Sequence, residues 1–503
     1  MRKRTTSSAV LVVLAAACGN GADDAGSSSG DGGRGTPAAG SGGTEMSGGS
    51  GAGGPTGGQG AGGPTAMPCG TFSEGDAFQV CAATYLGGAL DDDVGGVAVG
   101  PDGAVVYAGT IDGEDLGQTP NALLGGGKGV VARLSSDGRT WLSLTRLGDA
   151  LGEVVRTADG LAVGGDFGVA VLNAEASAVQ WSADVGGQVS DVAVGSDGAV
   201  VGRRDKSIHV FAADGEALGS FEVGATRIND IAVHGGEATI FVTGFKQDDG
   251  PPCSQLQIPF VRAYGYDGTL KWTNYDWNRT EVGDVSECAD SRGMAVTIGD
   301  DGMLYYAGES HGGNTVHRRL PKDLSQMAPN VKPDKYSDPY NLNGAAPITF
   351  FGRFDPATGD YALGSFLCTR LSSDKANAAR PSAIAATADG GVIVAGATAC
   401  CIENGDTKTV NGEPAMGEYL GGGFLMVVSP DFEQRRAWTT FRGADGGGER
   451  AVALALGAGN VVAAFQQDVD GSTTESPLLT FDAIQPAPGG GARDGYLTVF
   501  PAP

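Results

Sequence analysis

The sequence predicts an all-β fold made of repeated four-stranded antiparallel units, and three observations carry that expectation. The first is a recurring hairpin: two or three apolar residues, a polar pair, an Asp-Gly or Gly-Gly turn, then a second apolar run closing on Gly, first met at Val97–Gly109. The second is composition, since 87 Gly and 18% charged residues in 503 suit short strands and tight turns better than long amphipathic helices. The third is the return of the hairpin along the chain, because a unit that cannot bury its own apolar face must stack on its neighbours.

Seven copies follow one another, with first strands centred near Val97, Val154, Val192, Ile231, Ala295, Ile384 and Val452. Second strands follow at Val105–Tyr107, Leu161–Val163, Val200–Val201, Ile240–Val242, Leu304–Tyr306, Val392–Val394 and Val461–Ala463. Most turns between them are Asp-Gly, Gly-Gly or Gly-Asn, pairs that tolerate positive φ in a two-residue hairpin. A second hairpin supplies a third strand (Val130–Leu134, Ser207–Phe211, Phe260–Tyr264, Phe424–Val428) and a fourth (Trp141–Leu144, Trp181–Asp184, Lys271–Asn274, Ala437–Thr440). Such meanders are the blades of a propeller, here a seven-bladed β-propeller. The last copy stops after its third strand, Tyr496–Phe500, while Val80–Leu86 reads as a lone fourth strand. If the two pair, strands from both termini close the last blade.

Ahead of the repeats the chain reads as an address and a leash. Arg2-Lys3-Arg4, the apolar Ala9–Ala17 and the small residues before Cys18 have the order of a secretory signal over 1–17. The apolar run is shorter than the roughly 20 residues that span a bilayer. With Cys18 at its end the segment resembles a bacterial lipoprotein signal, in which that Cys becomes the lipidated N-terminus, although Ala15 stands where the family prefers Leu. Residues 18–68 are almost all Gly, Ser, Ala, Thr and Pro, too poor in apolar groups to offset the entropy of ordering. A disordered linker is expected there, with a span on the order of 40 Å; the folded part is expected over 69–503.

Thr84–Gly88, the Val-Ala-Val-x-x-Asp-Gly hairpins, Gln118–Gly127 and Phe481–Pro486 together resemble the bacterial seven-bladed β-propeller repeat family, over most of residues 78–500. The resemblance implies the fold and a secreted or lipid-anchored setting, on the cell envelope of a Gram-negative bacterium, at its outer membrane or cell surface. It implies no reaction. A net charge of -26, from 33 basic and 59 acidic residues, excludes a nucleic-acid backbone or an anionic membrane face as partner. The membrane is then met through the lipid alone, and a monomer with a protein or glycan ligand is expected.

Long inserts fall after the second strands, at 110–128, 245–259, 309–347, 398–422 and 466–491, while the turns at the other end are minimal. Loops held on a rigid scaffold commonly carry binding, so this end is the candidate functional face. The cysteines favour the same end. Cys253 with Cys288, Cys368 with Cys400 or Cys401, and Cys69 with Cys81 are the expected bridges in an oxidising compartment, with one thiol left over.

Reactive motifs are few. His311 and His317 share the longest loop with Arg318, Arg319 and Lys322, a set that could hold an anion or metal. Gly26–Gly30 and Gly125–Lys128 match a hydrolase elbow and a phosphate loop only in part, without the flanking elements or spacing those sites need. Calcium is the one cofactor with candidate ligands: Asp91 and Asp93 in a crossing, and Asp468, Asp470 and Glu475 in a loop, none with EF-hand spacing. No cofactor is required by the fold. Trp141, Trp181, Trp272 and Trp438 recur at the start of fourth strands, which points to packing between sheets. Trp277 stands outside that series and is the aromatic expected at a ligand. The leading expectation is a non-catalytic binding or scaffold module. The alternative is a propeller glycosidase or lyase, which would need a close acidic pair in the central funnel.

Overall fold

A computed structural model describes residues 68–113, 116–329, 331–332, 346–371, 376–400, 402–416, 422–442, 449–468 and 478–503. The signal and linker segments, Cys18, Cys401, Asp470 and Glu475 lie outside the described residues, and Asp468 is described only as the backbone end of a strand.

Short apolar runs between Gly-bearing turns become antiparallel strands, and the chain is all-β. Among the described residues the one α-helix is Arg279–Asp284, held by an Asn278–Glu281 capping box. No described helix is long and apolar enough to cross a membrane. Seven sheets contain four successive antiparallel strands each. Their first strands are Asp93–Val99, Leu151–Arg156, Asp191–Val194, Arg227–His234, Ser291–Ile298, Ala379–Ala386 and Glu449–Gly457. The seventh sheet takes its fourth strand, Ala82–Leu86, from the other end of the chain, in register Ala82↔Val499 to Leu86↔Gly495 on the strand Arg493–Pro501. Each first strand lies beside the first strand of the next sheet, and that of the seventh sheet lies beside that of the first.

The apolar core is divided into layers between neighbouring sheets. Val105 and Tyr107 pack with Val462 and Leu497 of the seventh sheet, whereas Val106 and Ala108, on the same strand, pack with Val154 and Leu161 of the second. Alternate side chains of one strand thus serve two layers, which is why the strands read as unbroken apolar runs. Trp181 and Trp272 of fourth strands cover the turn glycines Gly215 and Gly359 of the following sheet, with their indole N–H groups on the Ala213 and Pro356 carbonyls at 2.9 and 3.0 Å.

The Gly that closes the second apolar run has a steric cause in the first, fourth and sixth sheets, whereas the seventh carries Phe465 at the same register position. Six of the seven first strands carry a register shift near their start, at Val94/Gly96, Leu151/Val154, Ile228/Asp230, Gly293/Ala295, Pro381/Ala383 and Ala451/Ala453. The bulge bends the strand towards its partner. A Cβ on Gly109, Gly244 or Gly396 would run into the backbone carbonyl of Asp93, Arg227 or Arg380.

Gly244→Ala and Gly396→Ala are therefore expected to cost about 3 kcal/mol or more each, because backbone atoms cannot give way. Gly302, with φ of +76° and nothing within 4 Å of an added Cβ, is the control; its alanine variant should cost about 1 kcal/mol. Urea unfolding of the three variants checks this, and equal losses would contradict the bulge argument.

Candidate functional site

Part of the long-loop length is spent covering sheet edges. Asn121–Ala122 pairs in parallel with Thr145–Arg146, on the outer strand of the first sheet, and Val331–Lys332 does the same on Gly364–Ser365 of the fifth. In the seventh sheet Phe481 exchanges backbone hydrogen bonds with Ala83 at 2.9 and 3.0 Å, and Gln485 binds Gly87 through both ends of its amide. Outer strands offer unpaired donors and acceptors, and these loops satisfy them. The segment ahead of the closing strand acts likewise. Ala77–Phe78 pairs in parallel with Thr409–Val410, flanked by the ion pairs Asp76–Lys408 (2.7 Å) and Glu74–Arg436 (2.8 Å). Phe78 is buried against Phe500 and Phe441. This strap has no repeat to betray it in the sequence.

His317 is fully buried. Its Nε2 meets the Tyr306 hydroxyl at 2.8 Å, its Nδ1 meets Ser310 Oγ at 3.1 Å, and its ring stacks on Phe350. Burial pushes its pKa down to about 3, so it is a neutral core imidazole. Arg318 and Arg319 both donate to the Glu287 Oε1 at 2.7 Å, and Glu287 is buried. Lys322 sits apart, on Asp360 at 3.0 Å. The loop cations therefore do not converge with His317. His311 instead meets Glu309 at 2.5 Å, and Arg292 and Arg380 approach the same carboxylate oxygen at 3.6 and 3.7 Å. Burial alone would raise the Glu309 pKa; the His311 hydrogen bond with the charges of Arg380 and Arg292 outweighs it and holds the group ionised.

Trp277 is half-buried against the layer between the fourth and fifth sheets, and its backbone carbonyl accepts a hydrogen bond from Lys246 at 2.8 Å. Its indole N–H is buried with no acceptor among the described residues. The neighbouring Asp276 receives two donors of Arg262, at 2.7 and 3.1 Å, which pins the crossing.

The acidic crossing separates into different roles. Arg493 lies 2.5 Å from Asp93 and 3.9 Å from Asp91, and Asp91 also accepts the Ala492 N–H at 2.5 Å. Asp92 turns inward, fully buried, accepting the backbone N–H groups of Gly88 (2.6 Å) and Asp112 (3.0 Å). It faces Asp494, also buried, across the boundary between the seventh and first sheets. Asp494 Oδ1 has no donor among the described residues, and a Cβ on Gly87 would touch both carboxyl groups. Burial raises Asp92 to about 6; burial and the Asp92 charge raise Asp494 to about 7. A second inward group joins the second, third, fourth and fifth sheets. Glu153, Asp191 and Asp230 are buried, Arg203 is paired with Asp191, and Asp230 accepts the N–H groups of Ile231 (2.8 Å) and Val296 (2.7 Å). Burial, then the nearby Glu153 and Asp191, raise the Asp230 pKa. No set of three metal-donor side chains converges among the described residues.

Cys69 and Cys81 are bridged, with Cα atoms 6.0 Å apart, and Cys253 and Cys288 are bridged with 5.5 Å between theirs. The first bridge joins the strap to the closing strand; the second joins the loop and crossing that flank the Arg279–Asp284 helix. Cys400 is also disulfide-bonded and accepts the Asn377 side-chain N–H at 3.0 Å, whereas Cys368 is buried at the end of its strand. The chain matches no family model, and no curated protein matches it.

The Asp92–Asp494 pair predicts a sign for the pH dependence of stability. Both pKa values are raised on folding, so the folded state binds more protons than the unfolded one between about pH 4 and pH 7, and stability falls as pH rises through that window. Asp494→Asn supplies a permanent donor to Asp92 and should remove a loss on the order of 3 kcal/mol. Urea midpoints from about pH 3 to about pH 8 (about one unit either side of the window) check it; parallel profiles for the two proteins would refute the coupling of the two carboxyl groups.

Proposed function

We propose that the chain is a seven-bladed β-propeller of the bacterial repeat type, tethered to the cell envelope through a lipid on Cys18, and that it works as a binding or scaffold module. The circuit of first strands supports the ring: each adjoins the next, the seventh adjoins the first, and the seventh sheet holds strands from both ends of the folded part. A lipid anchor rests on the basic, apolar and small-residue order before Cys18. An outer membrane or cell surface is the setting favoured by that order and by the repeat resemblance, with a monomer presenting its loop-rich end to a protein or glycan.

The burial of the acidic groups favours binding over hydrolysis. Asp92 and Asp494 are close enough to act as an acid and base, but both are sealed between sheets, as are Glu153, Asp191 and Asp230. A general acid must lie within hydrogen-bond reach of the substrate proton, and these groups meet only the protein's own atoms or each other. His317 is neutral and equally enclosed.

Growth with an alkyne fatty acid, followed by capture of the full chain, should label the wild type and leave Cys18→Ala unlabelled and released from membranes. Equal labelling of both, or of neither, would overturn the anchor. The scaffold reading is tested by a glycan and surface-protein screen on the full chain, in which saturable binding abolished by changes to the loop-rich end is the expected result.

A further inference from the structure

Backbone cover on the outer edges follows the order of the sheets. The fourth strands of the first, fifth, sixth and seventh sheets each meet a further segment: Leu123 donates to the Arg146 carbonyl, Val331–Lys332 lies on Gly364–Ser365, Gly75 donates to the Arg436 carbonyl, and Phe481 pairs with Ala83. The fourth strands of the second, third and fourth sheets, Val179–Ala183, Ala217–Glu222 and Leu270–Asn274, meet no such segment among the described residues. Exposure divides the strands the same way. Ala217, Leu218, Ser220 and Glu222 are exposed, whereas every residue of Ala82–Leu86 is buried.

An open edge is a row of ready-made hydrogen-bonding groups. Val223 donates to the Lys206 carbonyl, so by the alternation of an antiparallel ladder the N–H and C=O groups of Ser220 and Glu222 point away from the sheet. On the first sheet the Arg146 carbonyl is turned outward in the same manner, and Leu123 binds it at 2.9 Å. The covered edges thus show the mode of docking that the open ones leave available. Charge singles out the third sheet. From 207 to 226 the chain holds Asp214, Glu216 and Glu222 and no lysine or arginine, and from 173 to 190 it holds Glu175 and Asp184 and again neither. Beside these acids Leu218 is 46% exposed, and Phe221 is half-buried against Tyr264 of the fourth sheet.

We propose that the outer edge of the third sheet, Ala217–Glu222, takes an extended cationic peptide as a fifth strand. Main-chain hydrogen bonds to Ser220 and Glu222 supply the pairing. Strand alternation sends one set of peptide side chains to the face of Glu222 and the other to the face of Phe221, which suits a segment in which Lys or Arg alternates with an apolar residue. Charge disfavours a second copy of the chain, because edge-to-edge pairing would bring two bodies of net charge -26 together. The edge is separate from the loop-rich end, so its outcome leaves the binding proposed there untouched.

Fluorescence anisotropy of the full chain with a labelled, end-capped octapeptide of alternating Lys and Val, at low salt, tests the edge. Saturable binding is expected, weakened at least about tenfold by Ser220→Pro, which removes an outward N–H without taking a bond from the sheet. N-methylation of the peptide backbone, which leaves its charge unchanged, should do the same, as should Glu216→Lys combined with Glu222→Lys. Circular dichroism checks the fold of Ser220→Pro, and the methylated peptide reads the same bonds on the wild type. Absence of binding, or binding indifferent to both Ser220→Pro and peptide methylation, would overturn the edge site. Equal affinity for an octapeptide of alternating Glu and Val would overturn the selection by charge. A dimer in sedimentation that Ser220→Pro dissolves would put a second copy on the edge and overturn the peptide as its occupant.

Discussion

The pairing of Ala82–Leu86 with Arg493–Pro501 is the constraint on which the remaining structure depends. Every apolar layer is shared by two sheets, so no sheet buries both of its faces alone. A row of such sheets left open would expose an apolar face at each end. Bringing the first folded strand onto the last sheet completes that sheet beside the first one, and the layer that contains Leu86, Tyr107, Val462 and Leu497 is the result. The Cys69–Cys81 bridge, the strap and the Gln485 contacts all reinforce this junction.

Strand positions were legible in the sequence because their signals are local. Asp-Gly and Gly-Gly turns fix hairpin ends within a few residues, and all seven predicted first-strand centres fall inside observed first strands. The all-β class and the four-stranded antiparallel sheets are as expected. The strap and the edge-covering loops escaped notice because two-residue pairs such as Ala77–Phe78 with Thr409–Val410 are set by distant partners, not by local pattern. Charged side chains were harder still. Asp91, Asp92 and Asp93 are identical in sequence, yet the crossing ahead of the strand Asp93–Val99 turns the middle one inward to Asp494 and leaves its neighbours on Arg493. His311 and His317 were grouped by loop membership, whereas the fold puts one on a carboxylate and seals the other among aromatic rings.

Glycine gives the repeat its regularity and also marks its charged end. Gly109, Gly244 and Gly396 admit the carbonyl groups of Asp93, Arg227 and Arg380, so the second-strand Gly and the charged first-strand residue belong to one steric unit. The inward acids are a different use of the same strands: Glu153, Asp191 and Asp230 link four sheets through an arginine and backbone N–H groups, contributing cohesion where the apolar layers end.

The junction between the termini also decides how the molecule bears load. A pull on the chain ahead of residue 69 reaches the Cys69–Cys81 bridge before it reaches the closing strand, so the covalent link carries the tension past the segment between them. Beyond Cys81 the force enters the closing strand at Ala82, opposite Val499, where the ladder with Arg493–Pro501 on one side and the Ala83–Phe481 hydrogen bonds on the other hold it. Were tension ever applied from the N-terminal side, the last sheet would resist it as a clasp, and the first sheet to open would be the one that joins the two ends.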